Sequence, residues 1–169
     1  LEGERYFSYR ILRGVKNRFG STNEIGMFEM RQEGMCEVTN PSDILITERE
    51  DNPSGSCIIA SIEGTRPILV EMQALTSQSV FGIPKRTANG FDYNRLAVLI
   101  AVLEKRAGLA LGGQDIYLNI AGGMKLNEPA VDLGIIATVA SAYKNIPIPQ
   151  STVVMGEVGL TGEVRRINL

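Results

Sequence analysis

Two stretches of this 169-residue sequence carry residue types at spacings that could do chemistry. The first is Lys16-Asn17-Arg18-Phe19-Gly20-Ser21-Thr22, two cations separated by one residue in a loop bounded by glycine and serine. Such a pair can be projected together toward an anion. Read alone, a solvated basic loop is the commoner meaning of the pattern. The second stretch runs from Asp115 to Tyr143. It reads as a strand, a Gly122-Gly123 break, a capped turn and a long apolar helix. Asn127 has the chemistry of an N-cap, Glu128 suits the positive helix end, and Pro129 fits the first turn, where a missing N–H costs nothing. A loop that delivers the chain into the start of a buried helix is a good seat for a nucleophile. That seat holds Ala130, whose methyl group cannot attack a carbonyl. Ser141 lies about three turns further along the helix and is no substitute, and Lys125 reads as a solvated or anion-facing loop cation.

The elements that must position these residues follow from periodicity. Ile116, Leu118 and Ile120 alternate with polar neighbours, as in a half-buried strand. From Ala130 onward apolar residues occupy nearly every helical face, so this helix is expected to be buried all round. Asp92 to Arg106 is a second helix, with Leu96, Leu99, Ile100 and Leu103 on one stripe and Gly108 closing it. Lys105 and Arg106 suit its negative C-terminal end. Cys57 to Glu63 and Pro67 to Leu75 form a predicted hairpin joined by Gly64-Thr65-Arg66. Residues 1 to 13 begin as a strand-like remnant, and Ile25 to Met30 alternates as a strand. Residues 31 to 55 read as acidic and turn-rich, with Asn40-Pro41-Ser42-Asp43 as a turn or short helix start and Asp51 to Gly55 as a loop. Ile83 to Gly90 reads as a loop carrying Lys85 and Arg86. After the Ile146-Pro147-Ile148-Pro149 stop, Thr152 to Glu157 and Glu163 to Arg166 read as short strands about a Gly-rich crossing.

Composition narrows the classes. There is no histidine, and Cys36 and Cys57 lack metal-type spacing, which removes histidine-based catalysis and a Cys/His zinc site in this stretch. No run approaches the ~18 apolar residues of a membrane span, and no secretory leader pattern is present, so the expectation is a cytoplasmic protein without a membrane partner. The net charge is only -2, but it is unevenly placed. Arg5, Arg10, Arg13, Lys16 and Arg18 make the start basic, residues 24 to 71 hold most of the carboxylates, and the remainder is slightly basic. A polyanion would therefore be met by patches rather than by a uniformly basic body. A start at Leu1 rather than methionine reads as a piece of something longer, and Leu169 as a stop before the end of the fold.

Lys16-Asn17-Arg18-Phe19-Gly20, followed by Ser-Thr-Asn-Glu-Ile-Gly, resembles the KNRFG motif of the RadA (Sms) family of bacterial DNA-repair proteins, matching without a gap. From about residue 56 the order of hairpin, helix, strand, Gly loop, buried helix, strand and Gly-Glu-Val turn is similar to the peptidase domain of Lon proteases. In that family a Gly-Pro-Ser-Ala-Gly-like segment opens the buried helix. Here the matching segment is Glu128-Pro129-Ala130-Val131-Asp132, with Ala130 at the serine position and the partner lysine position beyond Leu169. A Lon-like domain without its nucleophile, directly after a KNRFG segment, is the combination of the RadA family.

The resemblance implies an α+β fold: a Lon-protease-like (ribosomal protein S5 domain 2-like) domain over residues 56–169, a linker over 36–55, and the C-terminal remnant of a RecA-like ATPase domain over 1–35. It implies an ATP-driven hexameric motor that processes branched DNA in recombinational repair, with single-stranded and branched DNA, further copies of itself and the RecA recombinase as partners. Lys16 and Arg18, in their Asn17-Phe19-Gly20 setting, would then reach the nucleotide of a neighbouring subunit in trans. ATP, Mg²⁺ and zinc belong to the full-length protein; no cofactor is expected in this stretch. Arg66, Lys85, Arg86, Arg165 and Arg166, as loop or turn cations, are the DNA-binding candidates, with Arg95 ranked after them. The competing expectations are an active serine-lysine peptidase, against which Ala130 stands, and a purely structural ring scaffold.

Overall fold

The computed structural model describes residues 9–19, 25–40, 42, 46, 52–63, 66–80 and 82–167. Expectations on residues 1–8, Gly20, Ser21, Thr22, Pro41, Asp43, Asp51, Gly64, Thr65, Asn168 and Leu169 lie outside that set.

The N-terminal part is an antiparallel sheet of β1 (Tyr9–Arg13), β2 (Ile25–Arg31) and β3 (Gly34–Glu37), in that order. The third strand corrects the reading of residues 31 to 55 as turn-rich. Glu37 pairs with Phe28 and Met35 with Met30, so the sheet runs past the boundary drawn at residues 35 and 36. Polar, glycine-containing Gly-Met-Cys-Glu has little strand signal of its own, and pairing to β2 supplies it.

The larger sheet has five strands in the order β6-β7-β5-β4-β8. β4 (Ser56–Glu63) and β5 (Arg66–Gln78) form the expected antiparallel hairpin, with Ile59 opposite Val70. β5 continues antiparallel to β7 (Gln114–Ile120), and β7 lies parallel to β6 (Arg86–Asn89). The β6 strand corrects the expectation of a loop from Ile83 to Gly90. Four residues show no legible alternation, and it is the parallel ladder to β7 that makes them a strand. β8 (Val153–Val154) closes the other edge, parallel to β4. β9 (Glu157–Val158) and β10 (Val164–Arg165) make a separate small hairpin.

Both helices lie on one face of the large sheet. α1 (Tyr93–Ala107) begins where the Asp92 carboxylate accepts from the Arg95 amide at 2.7 Å, and ends at Gly108 with φ 68°. Its buried stripe is Leu96, Leu99, Ile100, Val102 and Leu103, the periodic residues of the sequence with Val102 added. α2 (Asp132–Lys144) has no exposed residue before Lys144, as its composition predicts. Gly134 lets it approach the sheet: a Cβ there would stand 2.3 Å from Ile59 Cγ2. The core between the layers holds Ile59, Val70, Met72, Ile116, Leu118 and Ile120 from the strands, against Leu96, Leu99, Ile135 and Val139 from the helices. The fold is α+β with a mixed sheet and, among the described residues, two long helices. Neither helix is long and apolar enough to cross a membrane.

Candidate functional site

The chain enters α2 through β7, a tight turn at Ala121–Gly123 and an extended segment to Glu128. Gly122 and Gly123 take φ of 69° and 67°, a left-handed pair that only glycine adopts without strain. Asn127 does not cap the helix; it is exposed, and a 3-10 turn over Pro129–Val131 precedes α2. The cap expectation fails because Glu128 is claimed by β4, where its carboxylate accepts from the Ser61 hydroxyl and from the Ile62 amide at 3.1 Å. That fixes the backbone before Pro129 extended, and the helix starts later. Ala130 is half-buried in this turn, and its carbonyl accepts from the Gly156 amide at 2.8 Å. Gly156 in turn offers its carbonyl to the Leu133 amide at 3.0 Å, so the turn at Ala130 is strapped to the chain beyond β8.

Beside it lies a network that the sequence does not announce. Asp132 is fully buried, and Arg95 of α1 forks onto both its oxygens, Nε to Oδ1 at 3.0 Å and one terminal nitrogen to Oδ2. The same terminal nitrogen donates to the Val158 carbonyl at 3.1 Å, and the Val158 amide donates to Asp132 Oδ2 at 3.2 Å. The hydrogen bond it donates to Asp132 holds the Arg95 guanidinium above its ordinary pKa, outweighing the opposing effect of its partial burial. One ion pair therefore ties α1, α2 and β9 together. Its signal was available: Asp132 is the one carboxylate in an otherwise apolar helix start, and a buried carboxylate needs a cation. Arg95, a DNA-binding candidate by sequence, has its guanidinium committed here.

The other candidates divide by what their side chains already hold. Arg66 donates to the Thr39 carbonyl, fastening the segment after β3 to the base of β5. Arg86 donates to the carbonyls of Lys85, Gln114 and Leu111, tying the start of β6 to the turn and strand start at β7. Arg165 is 56% exposed, yet it pairs with Glu163 at 2.5 Å and Glu157 at 3.4 Å, which raise its pKa. Lys85 and Arg166 are exposed. These residues are dispersed over several elements rather than gathered into one patch. Ser141 is buried and structural, donating to the Ile146 carbonyl at 2.5 Å and accepting from the Gly55 amide at 2.9 Å.

The loop between β1 and β2 is a different kind of site. Lys16, Asn17, Arg18 and Phe19 are all exposed, Phe19 to 98%. The Asn17 side chain accepts from the Phe19 amide at 3.0 Å, making a local turn between the exposed Lys16 and Arg18. Phe19, directly after Arg18, is an exposed large apolar side chain among the described residues. Among the described residues no group of three or more His, Cys, Asp or Glu side chains could hold a metal ion.

Comparison with known proteins adds the family. No family model matches the chain. Over 168 residues, 99% of its length, it is 59% identical to DNA repair protein RadA of Bacillus subtilis (strain 168), covering 37% of that protein. It is 57% identical over 168 residues to the protein of that name from Halalkalibacterium halodurans, again covering 37% of it. For that of Streptococcus pneumoniae the figures are 56% over 168 residues, with 40% of the relative covered. The chain thus spans well under half the length of these relatives.

Proposed function

Since this chain belongs to the RadA family over its matched length, we propose that it is the C-terminal part of an ATP-driven protein that processes branched DNA during repair. Residues 56–169 act as a Lon-like scaffold without proteolytic activity, holding copies of the protein in a ring and presenting cations to DNA. The observation that carries this reading is Ala130. The turn, the buried helix and the Arg95–Asp132 network of a preorganised site are all in place, while the seat itself carries only a methyl group. A serine-lysine peptidase cannot run on that residue, and Ser141 is tied into the fold elsewhere.

On this reading, Lys85 and Arg166 are the cations with most freedom to meet phosphate, and Arg165 can join them by exchanging its surface carboxylates. Arg66, Arg86 and Arg95 serve DNA only through the loops and helices they hold in place. Lys16 and Arg18 stabilise phosphate charge on the nucleotide of the adjoining copy, as an arginine finger does. ATP, Mg²⁺ and zinc are held by parts of the full-length protein other than these residues.

The test is the salt dependence of DNA binding by the full-length protein. For every phosphate left without its cation, the slope of log K against log salt should fall by about 0.9 on duplex DNA and about 0.7 on single strands. Replacing Lys85 and Arg166 together by alanine should reduce the slope accordingly, with the assembly unchanged. An unaltered slope and affinity would sink their assignment and favour a ring scaffold that leaves DNA to the motor.

A further inference from the structure

We propose that the free edge of β5 between Ala74 and Gln78 is a docking site for an extended, uncharged polypeptide segment, which joins the sheet as an added strand.

Among the described residues the edge is unpaired because β4 is shorter than β5. The ladder between them ends at Ser56 opposite Gln73, while β5 runs on to Gln78 against β7 alone. At Gly55 the chain turns away with φ 81°, giving one last bond from the Ala74 amide to the Gly55 carbonyl at 2.7 Å. A Cβ at Gly55 would lie 2.4 Å from the Ala74 carbonyl oxygen, so this departure depends on glycine. Strand alternation then turns the Thr76 N–H and C=O toward the side that β4 has left. Both belong to a long, regular strand, and no residue of the described set bonds to them from that side.

The space beside this edge is shaped for a strand. A trough on the outer face of the sheet is walled by Leu75 and Tyr117, and a second on the helix side by Ala142, Tyr143 and Asn145. The two meet over Ser54, Ala74 and Leu75. An added strand would send alternate side chains into the two troughs, at a repeat of about 7 Å along its length. Leu75, 63% exposed, offers an apolar contact on the outer side.

The same lining selects the occupant. Among the described residues neither trough is lined by lysine, arginine or aspartate, and their single glutamate, Glu71, is fully buried and accepts from Ser56 at 2.9 Å and Gln73 at 2.8 Å. A nucleic-acid backbone would find no cation here to replace its counterions. A main-chain edge is matched by another main chain, which is the chemistry of strand addition. The proposal does not rest on the assignment of the Lys85 and Arg166 cations.

The test uses the full-length protein and a fluorescein-labelled peptide, acetyl-Ser-Val-Thr-Leu-Ser-Val-Thr-amide, beside the same peptide N-methylated at alternate residues. Saturable anisotropy below about 1 mM is expected for the first peptide and none for the second. Thr76→Pro removes the outward N–H without breaking a bond to β7, since proline is accepted at strand edges, and should weaken binding about tenfold or more. Its DNA affinity should be unchanged. If that variant fails to fold, Leu75→Glu decides, by placing a charge in the uncharged trough with the backbone intact. No binding by the wild type, equal binding of the methylated peptide, or full binding by both variants overturns the proposal. A change in sedimentation of the Thr76→Pro protein without peptide also overturns it, by showing that a second copy fills the edge.

Discussion

The turn around Ala130 and the loop around Arg18 are opposites. At Ala130 every supporting group is satisfied inside the chain: Glu128 by β4, Asp132 by Arg95, and the Ala130 carbonyl by Gly156. Nothing reactive remains there. In the loop, Lys16 and Arg18 carry charge suited to an anion and are exposed beside the turn made by Asn17. The first region has a framework without chemistry, and the second has chemistry without a framework. A preorganised site holds its groups before the ligand arrives, whereas an exposed cation gains its value only when a partner surface completes the site. The trans role proposed for the loop and the structural role of the turn therefore call for different tests.

The sharpest way to break this comparison is in the loop. Lys16→Ala or Arg18→Ala in the full-length protein should lower ATP hydrolysis by about 10³-fold or more while leaving the unfolding midpoint and the assembly unaltered. Normal turnover in both variants would remove the trans role. The converse is expected at the turn. Arg95→Ala leaves a buried carboxylate without its cation and should cost on the order of 3 kcal/mol in denaturant unfolding, and a change under 1 kcal/mol would show the pair to be incidental. Gly134→Ala tests the same framework where α2 meets the sheet. Overpacking against Ile59 should cost about 1–3 kcal/mol, read as a lower Tm.

The smallest expected effect is on the surface hairpin. Hydrogen bonds from Thr161, from its own backbone and from Arg165 hold the Glu163 carboxyl at about 2. A depressed carboxylate pKa contributes stability that is present above the ordinary value of 4.5 and lost as pH falls toward 2. Titration of Glu163 followed by NMR should therefore give a midpoint well below 4.5, and an ordinary value would dissolve the hairpin network.

Much of the fold was legible where one segment decides its own structure. The stripe of α1, its Gly108 close, the β4–β5 hairpin and the alternation of β7 all follow from local patterns. The misses share one cause. β3 and β6 are short polar strands whose existence depends on a neighbour, and Asn127 lost its capping role because β4 bound Glu128 first. The candidate site divides in the same way. That Ala130 cannot attack a carbonyl is a matter of residue type, as is the presence of paired cations at Lys16 and Arg18. Which arginines are free is not. Arg66, Arg86, Arg95 and Arg165 look alike in sequence, and only their surroundings show that Arg95 is locked to Asp132 while Arg165 rests on surface carboxylates.

By itself, then, the sequence determined most element types, the apolar core and the inert alanine at the entry to α2, because propensity, periodicity and side-chain chemistry are local. Tertiary structure alone decided which cations are engaged and where β5 loses its partner. It also decided what holds the turn at Ala130. Each of these depends on groups far apart in the chain, such as Arg95 and Asp132, whose meeting no local pattern encodes.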